Sequence, residues 1–207
     1  STTQASGLNK LFTAALTSSQ LKAMETADLA KLSTSALQAL SNTAMAGLTT
    51  SQVANLGTAG VNALSTDQLR GMTSAQIQTL TTAQLASLST DQVKGLGTDQ
   101  IKVMTTAQFA GMGTAQVQGL SAAQMKAMDT ADVASLSTKT LQSLGTAQLN
   151  ALGTEQIVAL GDAQVKALTS TQLSKLETDK VAAMSTTQIK ALTAAQITNL
   201  SSDQLRA

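Results

Sequence analysis

Five aspartates, Asp67, Asp91, Asp99, Asp179 and Asp203, occupy one and the same place in a recurring eight-residue phrase. The next residue is most often glutamine, as in Gln68, Gln92, Gln100 and Gln204. Carboxylates at a fixed period could hold a cation if several oxygens converged on it. Asp91 and Asp99, in consecutive phrases, are the pair best placed to share a face. An acid near the start of a short helix has a plainer role, favourable interaction with the positive end of the helix dipole. That role is assigned to all five. Ser and Thr are abundant, but the chain has no His and no Cys. A hydroxyl therefore lacks an ordinary activating base, and zinc lacks its usual ligands. Gly-rich phosphate loops are absent as well. The expectation is a non-enzyme with no catalytic, cofactor-binding or metal-ligating residue.

What must position these residues is the repeat. Cut every eight residues from Ser1, the 207-residue chain gives 25 full octads to Leu200 and seven residues of a twenty-sixth, with no slip. Position 8 is Leu or Met in all 25 complete octads. Position 5 is Leu, Ile, Val, Met or Phe from Leu21 to Leu205. Position 4 is Gln in 18 of 26 octads, and position 2 is Thr in 17. Position 1 is Ser, Thr, Gly, Asn or Asp except at Glu25 and Glu177, and position 7 is mostly Gly, Ala or Ser. The consensus is [STG]-T-x-Q-[LIV]-x-[AGS]-L.

Position 1 carries the residues that cap helix N-termini, and the Gln three places on completes a capping box. Ser89 with Gln92 and Thr81 with Gln84 are such pairs. Glycine at position 1 (Gly57, Gly97, Gly113, Gly145, Gly153, Gly161) could close the preceding helix in a left-handed conformation and open the next. One continuous helix does not fit. At about 100° per residue, each octad rotates the apolar stripe by about 80°, so it would soon circle the axis. We therefore expect an all-α solenoid of short helices, one per eight-residue repeat, with positions 5 and 8 turned inward. The alternative is a β-solenoid, suggested by Val and Ile at position 5 and Thr at position 2. Adjacent positions 7 and 8 break the strand alternation, and Asn-Gly or Asp-Gly corners are absent.

An isolated helix of about two turns is too short to persist in water, so neighbouring octads must stabilise one another by stacking. Small residues at position 7, such as Gly71, Gly95, Gly111 and Gly119, suit close approach of backbones, with a frayed helix end as the plainer reading. The Gln at position 4 has two candidate roles, the capping box and bonding between stacked turns. The eight methionines, Met24, Met45, Met72, Met104, Met112, Met125, Met128 and Met184, fall on apolar positions and read as core. Residues 1–16 are degenerate, with Leu11 and Phe12 where the consensus is small or polar, and read as an N-terminal cap; residues 17–207 form the regular array.

Thirteen basic and twelve acidic residues nearly cancel. There is no basic stripe for phosphates, so no nucleic-acid partner is expected. No apolar run approaches membrane-spanning length, so no membrane insertion is expected. The chain opens on Ser without a leader pattern, as a processed or excised segment would, and its last octad stops one residue short, as if the array were cut there or continued by another chain.

Phrases such as "TTAQLASL" and "STTQIKAL" resemble octapeptide arrays of large bacterial secreted or surface proteins, along nearly the whole chain. The resemblance implies an extracellular or cell-surface, structural or adhesive segment of a long protein. A shorter likeness links Thr-x-x-Gln-Val to the opening helix of TAL-effector DNA-binding repeats, but the octad is far shorter and carries no base-reading loop or basic strip. The expected function is a structural module, a stalk, spacer or fibre segment that self-associates end to end or laterally into a filament. The alternative is a binding module with an extended groove along positions 2, 3 and 6 for a protein or glycan partner.

Overall fold

From the third octad onward each octad becomes one short α-helix, and at most junctions the reason is that its first and last residues are not helical; Leu56 and Gly57 are an exception. In a computed structural model, which describes residues 7, 8 and 10–207, helices of four to six residues follow one another from Lys10–Ala14 to Ser202–Arg206, with no strand among the described residues. The all-α reading holds and the β-solenoid does not. The helix Thr66–Gly71 shows the pattern: Ser65 at its N-cap is extended at φ −69°, ψ 161°, and Met72 at its C-cap is extended at φ −69°, ψ 144°. Thr73 opens the next helix with φ −70°, ψ 159°. Two consecutive extended residues, positions 8 and 1, therefore re-aim the chain at each such junction.

This corrects the expected left-handed glycine junction. Among the described residues only Gly57 has a positive φ, at 69°. Gly97, Gly113, Gly145, Gly153 and Gly161 are extended N-caps with φ between −70° and −73°. They replace Ser or Thr at a cap, a place glycine tolerates well, and have no role in closing the helix before.

The chain divides into two compact units, Ser1–Met112 and Gly113–Ala207. Of the N-terminal cap expected over residues 1–16, residues 1–6 and 9 lie outside the described residues. Within each unit the octads wind as a solenoid. In the first, the helix Ser74–Thr79 packs against Thr50–Ala54, three octads back; in the second, Thr186–Ala191 packs against Asp162–Ala167 in the same way. Positions 5 and 8 form the interior. Leu21, Met45, Leu69, Ile77, Ile101, Met125 and Leu141 are fully buried, as is Phe109 at 1% exposure. Seven of the eight methionines are buried; Met24 is half-buried.

Successive turns approach most closely where position 7 meets position 2 of the octad three back. A Cβ on Gly71 would lie 3.0 Å from Asn42 Cβ, one on Gly95 3.1 Å from Thr66 Cβ, and one on Gly111 3.2 Å from Thr82 Cβ. The close-approach reading of these glycines holds over the frayed-end one. Gly47 is the tightest: a Cβ there would sit 2.3 Å from Ser18 Cβ and 2.8 Å from its Cα. Because the obstacle includes backbone, Gly47→Ala is expected to lower stability by about 1–3 kcal/mol despite alanine's better helix propensity. Thermal denaturation of the two proteins checks this, and Gly111→Ala, whose Cβ would meet Thr82 Cβ at 3.2 Å and so needs a smaller shift, should cost less.

Candidate functional site

The residue that ties the octads together is the position-4 glutamine, and it does so with both ends of its amide. A short helix leaves N–H groups unpaired at its start and carbonyls unpaired at its end. Gln68 meets both needs. Its Oε1 accepts from the Ser65 N–H at 2.9 Å, while the Ser65 hydroxyl accepts from the Gln68 N–H at 3.1 Å. Its Nε2 donates to the carbonyls of Leu37 at 2.8 Å and Leu40 at 2.7 Å. Those are positions 5 and 8 of the octad four back, the C-terminal end of another helix.

The arrangement recurs in both units. In the first, Gln52, Gln76, Gln100 and Gln108 donate to the carbonyls 31 and 28 residues earlier. In the second, Gln156, Gln172, Gln188 and Gln204 do the same. The two roles expected of this glutamine are thus held at once. Recurrent bonds across 28 and 31 residues, with glycine contacts across 29, set one turn at between three and four octads.

On the surface of the second unit an open groove of about 650 Å³ runs between the octads at residues 129–136 and 153–160. Its walls include Lys126 at position 6, Thr130 and Thr154 at position 2, and Ala131 and Glu155 at position 3. Asp67, Asp91, Asp99, Asp179 and Asp203 all lie in the first turn of their helices, as assigned. No group of three or more His, Cys, Asp or Glu able to hold a metal ion occurs among the described residues. Nor is any helix among them long and apolar enough to cross a membrane.

A model of the ALTTAQ repeat matches residues 21–58, 54–82, 77–106, 96–130, 125–162, 151–178 and 173–207. The chain belongs to the ALTTAQ repeat family. No curated protein matches it. The six letters of that description read as positions 7, 8, 1, 2, 3 and 4 of the octad; Ala191–Gln196 of this chain matches five of them, with Ala194 at position 2. They span the junction between two helices and end on the glutamine that bonds the turns.

Where an ALTTAQ octad lacks that glutamine, the cap is rebuilt in part. Asp132 accepts from the Asp129 N–H at 3.1 Å through Oδ2. Thr140 replaces the amide with a hydroxyl contact to Ser137 at 2.9 Å. The octad at 177–184 changes both ends: Glu177 stands at position 1 and Lys180 at position 4. The Lys180 ammonium donates to Glu177 Oε2, with the lysine side chain 6% exposed and the glutamate 58%. Sequence reasoning missed this pair, although the signal was present, since two departures from consensus fall three residues apart in one octad. Lys180→Gln would restore an amide able to face the carbonyls of Leu149 and Leu152. It is expected to raise stability by about 1 kcal/mol, as a neutral bonded group replaces a buried ammonium. The gain is to be read from chemical denaturation, and should persist at high salt.

Proposed function

We propose that this ALTTAQ array is a structural module, a stalk, spacer or fibre segment of a bacterial extracellular or cell-surface protein. The carrying observation is the use to which its polar side chains are put. The buried glutamines spend both ends of the amide on helix ends, and the Ser and Thr hydroxyls at position 1 cap helices, so the residues that define the repeat serve its architecture. Placement at the cell surface is supported by the resemblance of the octad phrase to arrays in secreted and surface proteins.

A spacer holds its ends at a fixed separation. The chain lacks cysteine, so Ser19→Cys and Lys102→Cys, both exposed and both within the first unit, give two unique attachment points for a fluorescent donor and acceptor. A single narrow distance distribution is expected in solution. A broad distribution, as from freely jointed segments, would remove the spacer reading. A second reading is favoured by the groove beside Lys126, Thr130 and Glu155, which runs along the positions expected of a binding surface. Saturable binding of a glycan or protein, lost in Glu155→Arg, would establish it.

A further inference from the structure

The octad at 177–184 begins with an N–H that its own side chains do not serve. Where position 4 is glutamine, that side chain accepts from the position-1 N–H: Gln164 Oε1 serves Gly161 at 2.8 Å, and Gln188 Oε1 serves Ser185 at 2.8 Å. Here position 4 is the buried Lys180, and an ammonium donates but does not accept. Its bond goes to Glu177 Oε2, with Asp179 Oδ1 3.8 Å away. Glu177 makes no side-chain cap either. A helix start in this state would keep an orphan donor, and leaving one unmade costs free energy. The acceptor comes from an earlier turn. Asn150, half-buried at position 6 of the octad at 145–152, accepts from the Glu177 N–H through Oδ1 at 3.0 Å. Its Nδ2 donates to the Lys175 carbonyl at 2.8 Å.

We infer that Asn150 is a helix cap supplied from another turn, and that it is the residue that admits Lys180 at position 4. It replaces the acceptor half of the lost glutamine. It also grips one helix junction from both sides, the carbonyl before it and the N–H after it. The chain holds its own comparison. Gln118 stands at position 6 as well, and donates to the position-7 carbonyl three octads on, that of Ser143, at 2.8 Å. The octad after that one keeps its glutamine, and Gln148 Oε1 serves the Gly145 N–H at 3.1 Å. The position-6 amide thus holds the same carbonyl in both places, and takes the N–H where lysine has displaced glutamine. All of these residues lie within the second unit. Residues 150 and 180 are therefore coupled in energy through the one N–H for which their amides would compete.

Amide hydrogen exchange of the 207-residue chain, read residue by residue by nuclear magnetic resonance, tests this. In Asn150→Ala the Glu177 amide should exchange at least about tenfold faster. The Val165 amide, bonded to the Gly161 carbonyl at 3.0 Å, should keep its protection and so report that the unit stays folded. The decisive arm is the same substitution in the Lys180→Gln chain. The introduced amide can take the Glu177 N–H as Gln164 takes that of Gly161. Asn150→Ala should then change exchange at Glu177 by less than about twofold. An effect at Glu177 of equal size in both backgrounds, or none in the parent, would overturn the inference. If Asn150→Ala unfolds the second unit of the parent, circular dichroism makes the same comparison. The Lys180→Gln chain must then carry the substitution with its helical signal intact, and loss of that signal in both backgrounds would show a packing role for Asn150 in place of a cap.

Discussion

Gln68→Glu is expected to destabilise the first unit by about 3–5 kcal/mol at neutral pH, although the two side chains have nearly the same shape. The capping half of the interaction survives, because a carboxylate oxygen accepts from the Ser65 N–H as well as an amide oxygen does. The other half reverses sign. Where Nε2 donates to the carbonyls of Leu37 and Leu40 at 2.8 Å and 2.7 Å, a carboxylate would set a negative oxygen against two carbonyl oxygens. Gln68 is 2% exposed, so water cannot relieve the contact. Gln68→Ala should cost less, about 1–3 kcal/mol, since it leaves groups unpaired without opposing them.

Two controls separate this account from a general intolerance of the site. Gln20 has the same capping box with Thr17 but is exposed, so Gln20→Glu should be nearly neutral. The second control is pH. Between two carbonyls the introduced carboxyl keeps its proton to higher pH in the folded than in the unfolded chain. A folded value raised in this way leaves stability highest below the unfolded carboxyl's range, near about pH 4.3, and lowers it as pH rises toward the folded value. The denaturation midpoint of the variant should therefore fall on going from acid to neutral pH by more than that of the parent chain. A variant equally unstable at both would show that shape, not donor polarity, is what position 68 requires.

The parts of this fold legible in the sequence are those written within one octad. Apolar residues at positions 5 and 8 mark the interior, and Ser or Thr followed by Gln marks the helix start; Thr81 with Gln84 and Ser89 with Gln92 form the boxes their spacing implies. What connects octads was harder to read. No residue type announces how many helices make a turn. That number follows from the angle imposed by two extended residues, as at Met72 and Thr73, and only coordinates display it. The glutamine's roles stood as alternatives because capping and cross-linking are usually found on different residues. A primary amide has an acceptor and a donor on opposite sides, so one side chain can do both. Glycine at position 1 misled for a related reason. It is frequent after helix ends and acceptable at helix starts, and where helices abut, one residue fits both descriptions. The exposed trio Ile189, Ile197 and Leu205 is indistinguishable from core by type, since the same residue types fill the buried position 5 elsewhere.

If turns are built by counting octads, the chain should tolerate removal of a whole octad and not of half. Deleting residues 73–80 joins Met72 directly to Thr81, a position 8 to a position 1, as at other junctions. Gln84 then stands four octads after the helix Asn42–Ala46, and its amide can bond the carbonyls of Met45 and Leu48, which Gln76 serves in the parent chain at 2.9 Å and 2.7 Å. The cost is limited to one octad's share of the interior, about 3–6 kcal/mol for two large side chains, and helical ellipticity per residue should be unchanged. Deleting residues 73–76 instead leaves the four residues Ile77 to Leu80 to bridge two complete helices. Four residues cannot carry the chain around the arc that an octad spans. Every octad after the deletion is then misaligned with its partners three and four places back, and each contact across the cut, apolar and amide alike, is lost together. The smaller deletion should therefore do the greater damage, with a collapsed unfolding transition and reduced ellipticity. Equal effects from the two would mean that the helices cohere through local segments and not through the count of octads.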